Sequence, residues 1–336
     1  MTPAPADRSP VRLHVVTGKG GTGKTTVAAA LALALASHGR SVLLCEVEGR
    51  QGVARLFDVD PLPYAERRIA SGLTGPGGRA GTVHALHIDP ESALLEYLAM
   101  YYRLGRAGRA LDRFGVVEFA TTLAPGVRDV LLTGKVYEAT KERRRGKDVR
   151  TYDAVVLDAP PTGRIAQFLG VNSELAGLAR VGPIRAQADL VMKLFRSPRT
   201  AIHLVTVLEE MAVQETADGI AQLREAGLPV GGVVVNRVRP QDLGPEQLAA
   251  MRSGTISAAD VAADLETAGL PTDDQLVAGL LAEAHDHAVR RELEDRQRQV
   301  VAALGVPSWE LPLLPAGIDL GGLYELAACL KEVGMA

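Results

Sequence analysis

The residues with the plainest chemistry form one run, Gly18-Lys19-Gly20-Gly21-Thr22-Gly23-Lys24-Thr25-Thr26, between an apolar stretch, Leu13 to Val16, and a helix-forming stretch, Val27 to Ala36. Without a Cβ in the way, backbone N–H groups at the glycines can converge on an anion, and the helix that follows adds its positive end. Gly18 to Thr25 satisfies the spacing G-x-x-x-x-G-K-S/T in the strand–loop–helix context a phosphate loop needs. That spacing places Gly20, Gly21, Thr22, Gly23, Lys24, Thr25 and Thr26 around a triphosphate. Lys24 reaches the β- and γ-phosphates and Thr25 ligates Mg²⁺.

A second group stands at the end of Tyr152 to Asp158, an apolar run closed by a carboxylate. An aspartate there can hold Mg²⁺ through water, opposite Thr25. Gly163, in the loop that follows, can bring a backbone N–H to a γ-phosphate, in a loop that ATP orders and ADP releases. A third polar loop, Glu48 to Gly52, follows the apolar strand Ser41 to Val47, and ligand groups collect at such strand ends.

These loops need a frame. Strands are expected at Arg12–Thr17, Ser41–Val47, Val83–Ile88, Tyr152–Asp158, Ala201–Val207 and Val230–Val235, with an edge strand at Trp309–Leu311. Helices are expected at Thr25–Ser37, stopped by Gly39, at Val213–Ala226, and at Asp319–Val333 as a closing helix. Glu91–Thr140, with apolar positions such as Phe114 and Leu123, Glu174–Phe195 and Gln241–Leu304 read as helical, and Pro61–Ala80 as a surface excursion. The alternation predicts an α/β fold, a doubly wound, mostly parallel sheet of the P-loop NTPase kind. Residues 1–10 read as disordered. Residues 11–336 read as one domain with helical insertions at about 91–140, 171–200 and 241–304.

Composition narrows the classes. The 336 residues carry a net charge of −3, which argues against a nucleic-acid binder, and 47% hydrophobic residues are enough for a large core. With 4% aromatics, Ala, Leu and Val must fill that core. Cys45 and Cys329 read as core thiols. The histidine pairs His84/His87 and His285/His287 are badly spaced for a shared metal. The basic run Lys141–Arg150 reads as a solvated loop. The N-terminus lacks a signal-peptide core and Val27–Ala36 is too short to span a bilayer, so a soluble, cytoplasmic protein is expected.

With Lys19 after the first glycine, K-G-G-x-G-K-T-T resembles the "deviant" Walker A of the group that includes MinD, ParA, the nitrogenase iron protein, ArsA and the tail-anchored-protein-targeting ATPases. The stretch Asp158 to Leu169, D-A-P-P-T-G-R-I-A-Q-F-L, resembles D-T-A-P-T-G-H-x-x-R-x-L of the ArsA and tail-anchored-targeting branch. The resemblance implies a Mg²⁺-dependent, ATP-hydrolysing switch that acts as a dimer. Lys19 would cross to the partner's nucleotide, and Lys24 and Asp158 would act within the chain. Aligned on Val42-Leu43-Leu44 and Phe57, Glu48 falls where the branch carries a catalytic aspartate that orients the attacking water; Glu46 competes for that role, and neither is the third reading. The Pro-Ala-His of the branch is replaced by Gly49-Arg50-Gln51.

The same resemblance makes Asn236 a contact to adenine and sets Pro312-Leu313-Leu314-Pro315 beside the base, with Pro315 in the late loop. It implies a homodimer, or a heterodimer with a paralogous ATPase, and a protein client for the helical insertions. A nucleotide-dependent binding subunit with little hydrolysis is the alternative. A MinD/ParA-like positioning ATPase ranks third, because the tail Leu320–Ala336 makes a poor lipid-binding helix. Arsenite transport is disfavoured, because two cysteines cannot supply the metalloid-binding set.

Overall fold

A computed structural model describes residues 11–49, 51–75, 78–102, 125–141, 150–178 and 183–336. The expected N-terminal tail, the helix around Phe114 and Leu123, Arg50 and most of the basic run 141–150 lie outside the described residues.

The strands are β1 (Leu13–Gly18), β2 (Ser41–Glu46), β3 (Arg67–Thr74), β4 (Ala80–His87), β5 (Ala154–Asp158), β6 (Thr200–Thr206), β7 (Val230–Val238) and β8 (Ser308–Pro312). They form one sheet in the order β3-β4-β2-β5-β1-β6-β7-β8. All neighbours are parallel except β3 against β4. β1, β5 and β6 are buried at every position, as strands covered on both faces must be.

Helix α1 (Lys24–Ala36) follows the phosphate loop, and its last ten residues, Val27–Ala36, are all buried. A helix apolar all round needs cover on all sides. Here the sheet supplies one side and the closing helix α11 (Leu320–Glu332) another, with Leu323, Leu326 and Leu330 in the same apolar cluster as α1. Burying a leucine side chain contributes about 1.5–3 kcal/mol, and this layer holds the helix whose N-terminus faces the loop. The opposite layer contains Leu43, Cys45, Val155, Leu157, Ile165, Phe168, Phe195 and Leu204. Cys45 is thus a core thiol, as expected, and Cys329 is half-buried on α11.

The remaining helices among the described residues are α2 (Gly52–Leu56), α3 (Pro90–Tyr102), α4 (Pro125–Ala139), α5 (Thr162–Leu178), α6 (Pro183–Phe195), α7 (Glu210–Glu225), α8 (Pro245–Ser253), α9 (Ala258–Thr267) and α10 (Asp274–Ala302). Three elements depart from the sequence reading. The Pro61–Ala80 excursion contains the edge strand β3; register shifts between Arg68 and Ala70 and between Ser71 and Leu73 break the two-residue alternation that would have marked it. The helix expected from Glu174 begins at Thr162, immediately after Pro160-Pro161, so Gly163 lies in a first helical turn and not in a loop. Finally, β7 continues to Val238, with a register shift between Val235 and Val238 and Arg237 at φ 58, so Asn236 lies inside the strand.

Candidate functional site

The C-terminal ends of β1, β2, β5, β6 and β7 converge on one edge of the sheet, where a doubly wound fold binds ligands. The phosphate loop leaves β1 there. Its start is tight: a Cβ on Gly18 would lie 2.3 Å from the Val205 carbonyl oxygen. Thr22 closes the loop on itself, its Oγ1 donating to the Lys19 carbonyl at 2.8 Å. Gly23 has φ 91, and a Cβ there would meet Asn236 Nδ2 at 2.4 Å, so conformation and space both require glycine. Asn236 Nδ2 donates to the Thr22 carbonyl at 2.9 Å and ties β7 to the loop. Gly20 and Gly21 are exposed and Lys19 half-exposed.

At the phosphate end, Thr25 Oγ1 donates to Asp158 Oδ2 at 2.7 Å. Asp158 is buried, its Oδ1 has no hydrogen-bond partner, and burial raises its pKa to about 7 against the opposing pull of Thr25 and Lys24. This set of hard oxygen donors suits Mg²⁺. Thr162 Oγ1, at the start of α5, is also buried without a partner. Thr17 Oγ1 donates to the Pro160 carbonyl at 2.7 Å and fixes the loop between Asp158 and α5.

The two acidic candidates of the β2 loop separate. Glu48 Oε2 lies 3.3 Å from Lys24 Nζ. Glu46, the last residue of β2, is buried, and its Oε1 accepts the Gly52 N–H at 2.7 Å. Strand alternation would have set both on one face. The strand stops at Glu46, however, and positive φ at Gly49 (58) and Gln51 (53) turns the chain away. The Gln51 amide then brackets Leu62, accepting its N–H at 2.8 Å and donating to its carbonyl at 3.2 Å. Two residues on, Tyr64 Oη donates to Glu96 of α3 at 2.6 Å, and Lys135 of α4 donates to the same carboxylate at 2.7 Å.

On the other side of the loop lies a cleft of about 510 Å³ whose walls include Gly23, Thr26, Asn236, Arg239, Glu294 and Ile318. The late loop contributes Pro312, Leu313, Leu314 and Gly317, whereas Pro315 is exposed and not part of the lining. Arg239 and Glu294 form an ion pair there, and Glu294 also pairs with Arg291 at 3.2 Å. Sequence reasoning missed this wall, because Glu294 reads as one more charge in a polar helix; only its (i, i+3) partner Arg291 gave a local hint.

The phosphate loop, Thr25, Asp158 and Glu48 therefore lie together, with Asn236 on the rim of the cleft beside them. Comparison with known proteins gives the family. The profile of the family described as Anion-transporting ATPase matches residues 11–198. ATPase BagA of Mycobacterium tuberculosis is 54% identical over 331 residues, covering 98% of this chain and 96% of that protein. The arsenical pump-driving ATPase of Escherichia coli is 29% identical over 281 residues, 76% of this chain and 45% of its own length. ATPase GET3 of Pyricularia oryzae is 28% identical over 224 residues, 65% of this chain and 59% of its own. The chain belongs to the anion-transporting ATPase family and is an ATPase of that family.

Proposed function

We propose that this ATPase is a Mg²⁺-dependent switch that works as a pair of subunits. The observation that carries the reading is the contact of Thr25 with the buried, half-satisfied Asp158 directly below a phosphate loop. Thr25 and Asp158 would hold Mg²⁺, whose charge offsets that of the β- and γ-phosphates. Lys24 would leave Glu48 for the phosphates. The freed Glu48 carboxylate would orient the attacking water, and the N–H groups of the first turn at Gly163 would face the γ-phosphate. With one N–H of Asn236 Nδ2 given to the Thr22 carbonyl, its Oδ1, an acceptor, would take a hydrogen bond from the amino group of adenine.

Half-exposed Lys19, beside exposed Gly20 and Gly21, would reach a neighbouring subunit. The contacts from Gln51 through Leu62 and Tyr64 to Glu96 and Lys135 support a coupling of nucleotide state to α3 and α4, the insertion that would serve a protein client. No helix among the described residues is long and apolar enough to cross a membrane; we place the protein in the cytoplasm, where ATP and Mg²⁺ are abundant.

A second reading, a binding subunit with little hydrolysis paired with a paralogous ATPase, is favoured by Glu48 being already engaged by Lys24. Phosphate release and ATP titration calorimetry on the purified protein separate the two. Turnover that Lys24→Ala abolishes supports the first, and tight ATP binding without turnover supports the second. ATP binding unchanged in Lys24→Ala rejects both. Solution mass with and without ATP tests the pairing.

A further inference from the structure

Asp158, Glu46 and His87 are Cα partners across β5, β2 and β4, so the three side chains stand in a row on one face of the sheet edge. The middle one is unusual. Glu46 is buried, yet only one of its oxygens is used inside the protein: Oε1 accepts the Gly52 N–H, while Oε2 has no hydrogen-bond partner. His87 Nδ1 stands 3.8 Å from Oε2, beyond hydrogen-bond reach, and is itself unpartnered. A buried polar atom left unsatisfied costs about 1–3 kcal/mol, and Asp158 Oδ1 beside it is in the same condition.

Gly52, the first residue of α2, is wedged into this place: a Cβ on it would lie 3.1 Å from Thr25 Cγ2 and 3.3 Å from Glu46 Oε1. Three segments therefore meet at Glu46: the Thr25 end of α1, the Asp158 edge of the sheet, and the start of α2. Among the described residues no three acidic, histidine or cysteine side chains lie close enough to share a bare ion. A Mg²⁺ ion held by Thr25 and Asp158 would keep several waters, and those waters would be hydrogen-bond donors for a carboxylate one layer out.

We infer that Glu46 is a positioning residue whose two oxygens do different work: Oε2 receives a water of the Mg²⁺ shell, and Oε1 pins the first turn of α2. One side chain thereby joins metal occupancy to the placement of the Glu48 loop. The inference rests on the proposed Mg²⁺-ATPase reading and assigns Glu46 a role other than that of the water-orienting group.

The test uses the full chain with two substitutions that separate the oxygens. Glu46→Gln keeps an oxygen for Gly52 and loses the charge toward the metal. Glu46→Asp keeps the charge and, one methylene shorter, withdraws from Gly52. Mg²⁺ is titrated calorimetrically into ADP-saturated protein, and hydrogen exchange is followed over residues 49–57. Glu46→Gln should weaken Mg²⁺ binding by about tenfold or more with wild-type exchange at Gly52. Glu46→Asp should hold Mg²⁺ affinity within about threefold while Gly52 exchanges about tenfold faster.

Wild-type Mg²⁺ affinity in Glu46→Gln overturns the inference, as does wild-type exchange in Glu46→Asp, or the same pair of changes in both variants. An amide is easier to bury than a carboxylate, so Glu46→Gln should fold, and its metal arm decides even if Glu46→Asp does not. A wild-type protein that binds no nucleotide would instead sink the ATPase reading and leave Glu46 a structural tether.

Discussion

Two buried clusters of ionisable groups invite comparison. One is the carboxylate pair Asp158 and Glu46 at the sheet edge; the other is the imidazole pair His14 and His203, on the neighbouring strands β1 and β6. The histidines stack with centroids 5.5 Å apart, His14 Nδ1 lies 3.2 Å from His203 Nε2, and Trp309 closes the stack edge-on at 6.0 Å. Burial pushes Asp158 and both imidazoles toward neutrality: Asp158 up to about 7, His14 down to about 4 and His203 down to about 3. Both clusters also contain unpartnered polar atoms. A shifted pKa therefore does not distinguish a working site from a core. The difference lies in the surroundings. Asp158 opens onto a phosphate loop, a lysine and the Thr25 hydroxyl, whereas the histidines face each other, Trp309 and the strand backbone.

The largest expected effect tests the edge cluster. Asp158→Asn should lower turnover by about 10³-fold, the scale of removing one pre-placed electrostatic group, without lowering the stability of the nucleotide-free protein, measured by thermal unfolding. Loss of stability with normal turnover would reverse the assignment. Next, Glu48→Gln should reduce turnover by about 10²-fold yet tighten ATP binding, since Lys24 no longer has a competing carboxylate. Weaker binding, read by calorimetry, would show that Glu48 assists the loop instead of capping it.

The histidine cluster should behave oppositely. His14 and His203 are neutral when folded and take up protons below pH about 6.5 when unfolded. The unfolded state then binds more protons, so the pair's contribution to stability falls as pH drops from about 6.5 toward 3–4, by up to about 1.4 kcal/mol per pH unit for each ring. Asp158 has the opposite slope: folded, it keeps a proton that the unfolded chain has released, so its contribution declines as pH rises from about 4 to about 7. Replacing both rings together, His14→Leu with His203→Leu, should flatten the acid limb of urea unfolding and keep turnover within about twofold, because removing both partners leaves no orphan. A collapse in turnover would make the pair functional.

The smallest effect is at the base. Asn236→Ala should raise the KM for ATP by about five- to tenfold, the scale of one hydrogen bond, and narrow the preference for ATP over GTP.

The sequence carried much of this arrangement because phosphate loops are local. Gly18 to Thr26 and Asp158 each sit at the end of a strong apolar strand, and the sheet order then brings them together. The β2 loop was harder to read. Glu46 and Glu48 differ in neither type nor spacing, and their separation depends on backbone turns at Gly49 and Gln51, where Gln51 gives no hint of a left-handed residue. Edge strand β3 was hidden by its bulges. The polar wall of the cleft was hidden because Arg239 and Glu294 are 55 residues apart and meet only once α10 packs against the end of β7.

The contact between Lys24 and Glu48 has one more consequence. An empty phosphate loop is a general anion trap, and a cell is full of small anions. Here the lysine of the loop already faces a carboxylate of its own chain. On the proposed reading, inorganic phosphate or a free carboxylate would make too few contacts to dislodge a tethered occupant, while a metal-bearing triphosphate would engage the loop, Thr25 and Asp158 together. Such an enzyme would pass over a lone anion and answer to a chain of linked ones.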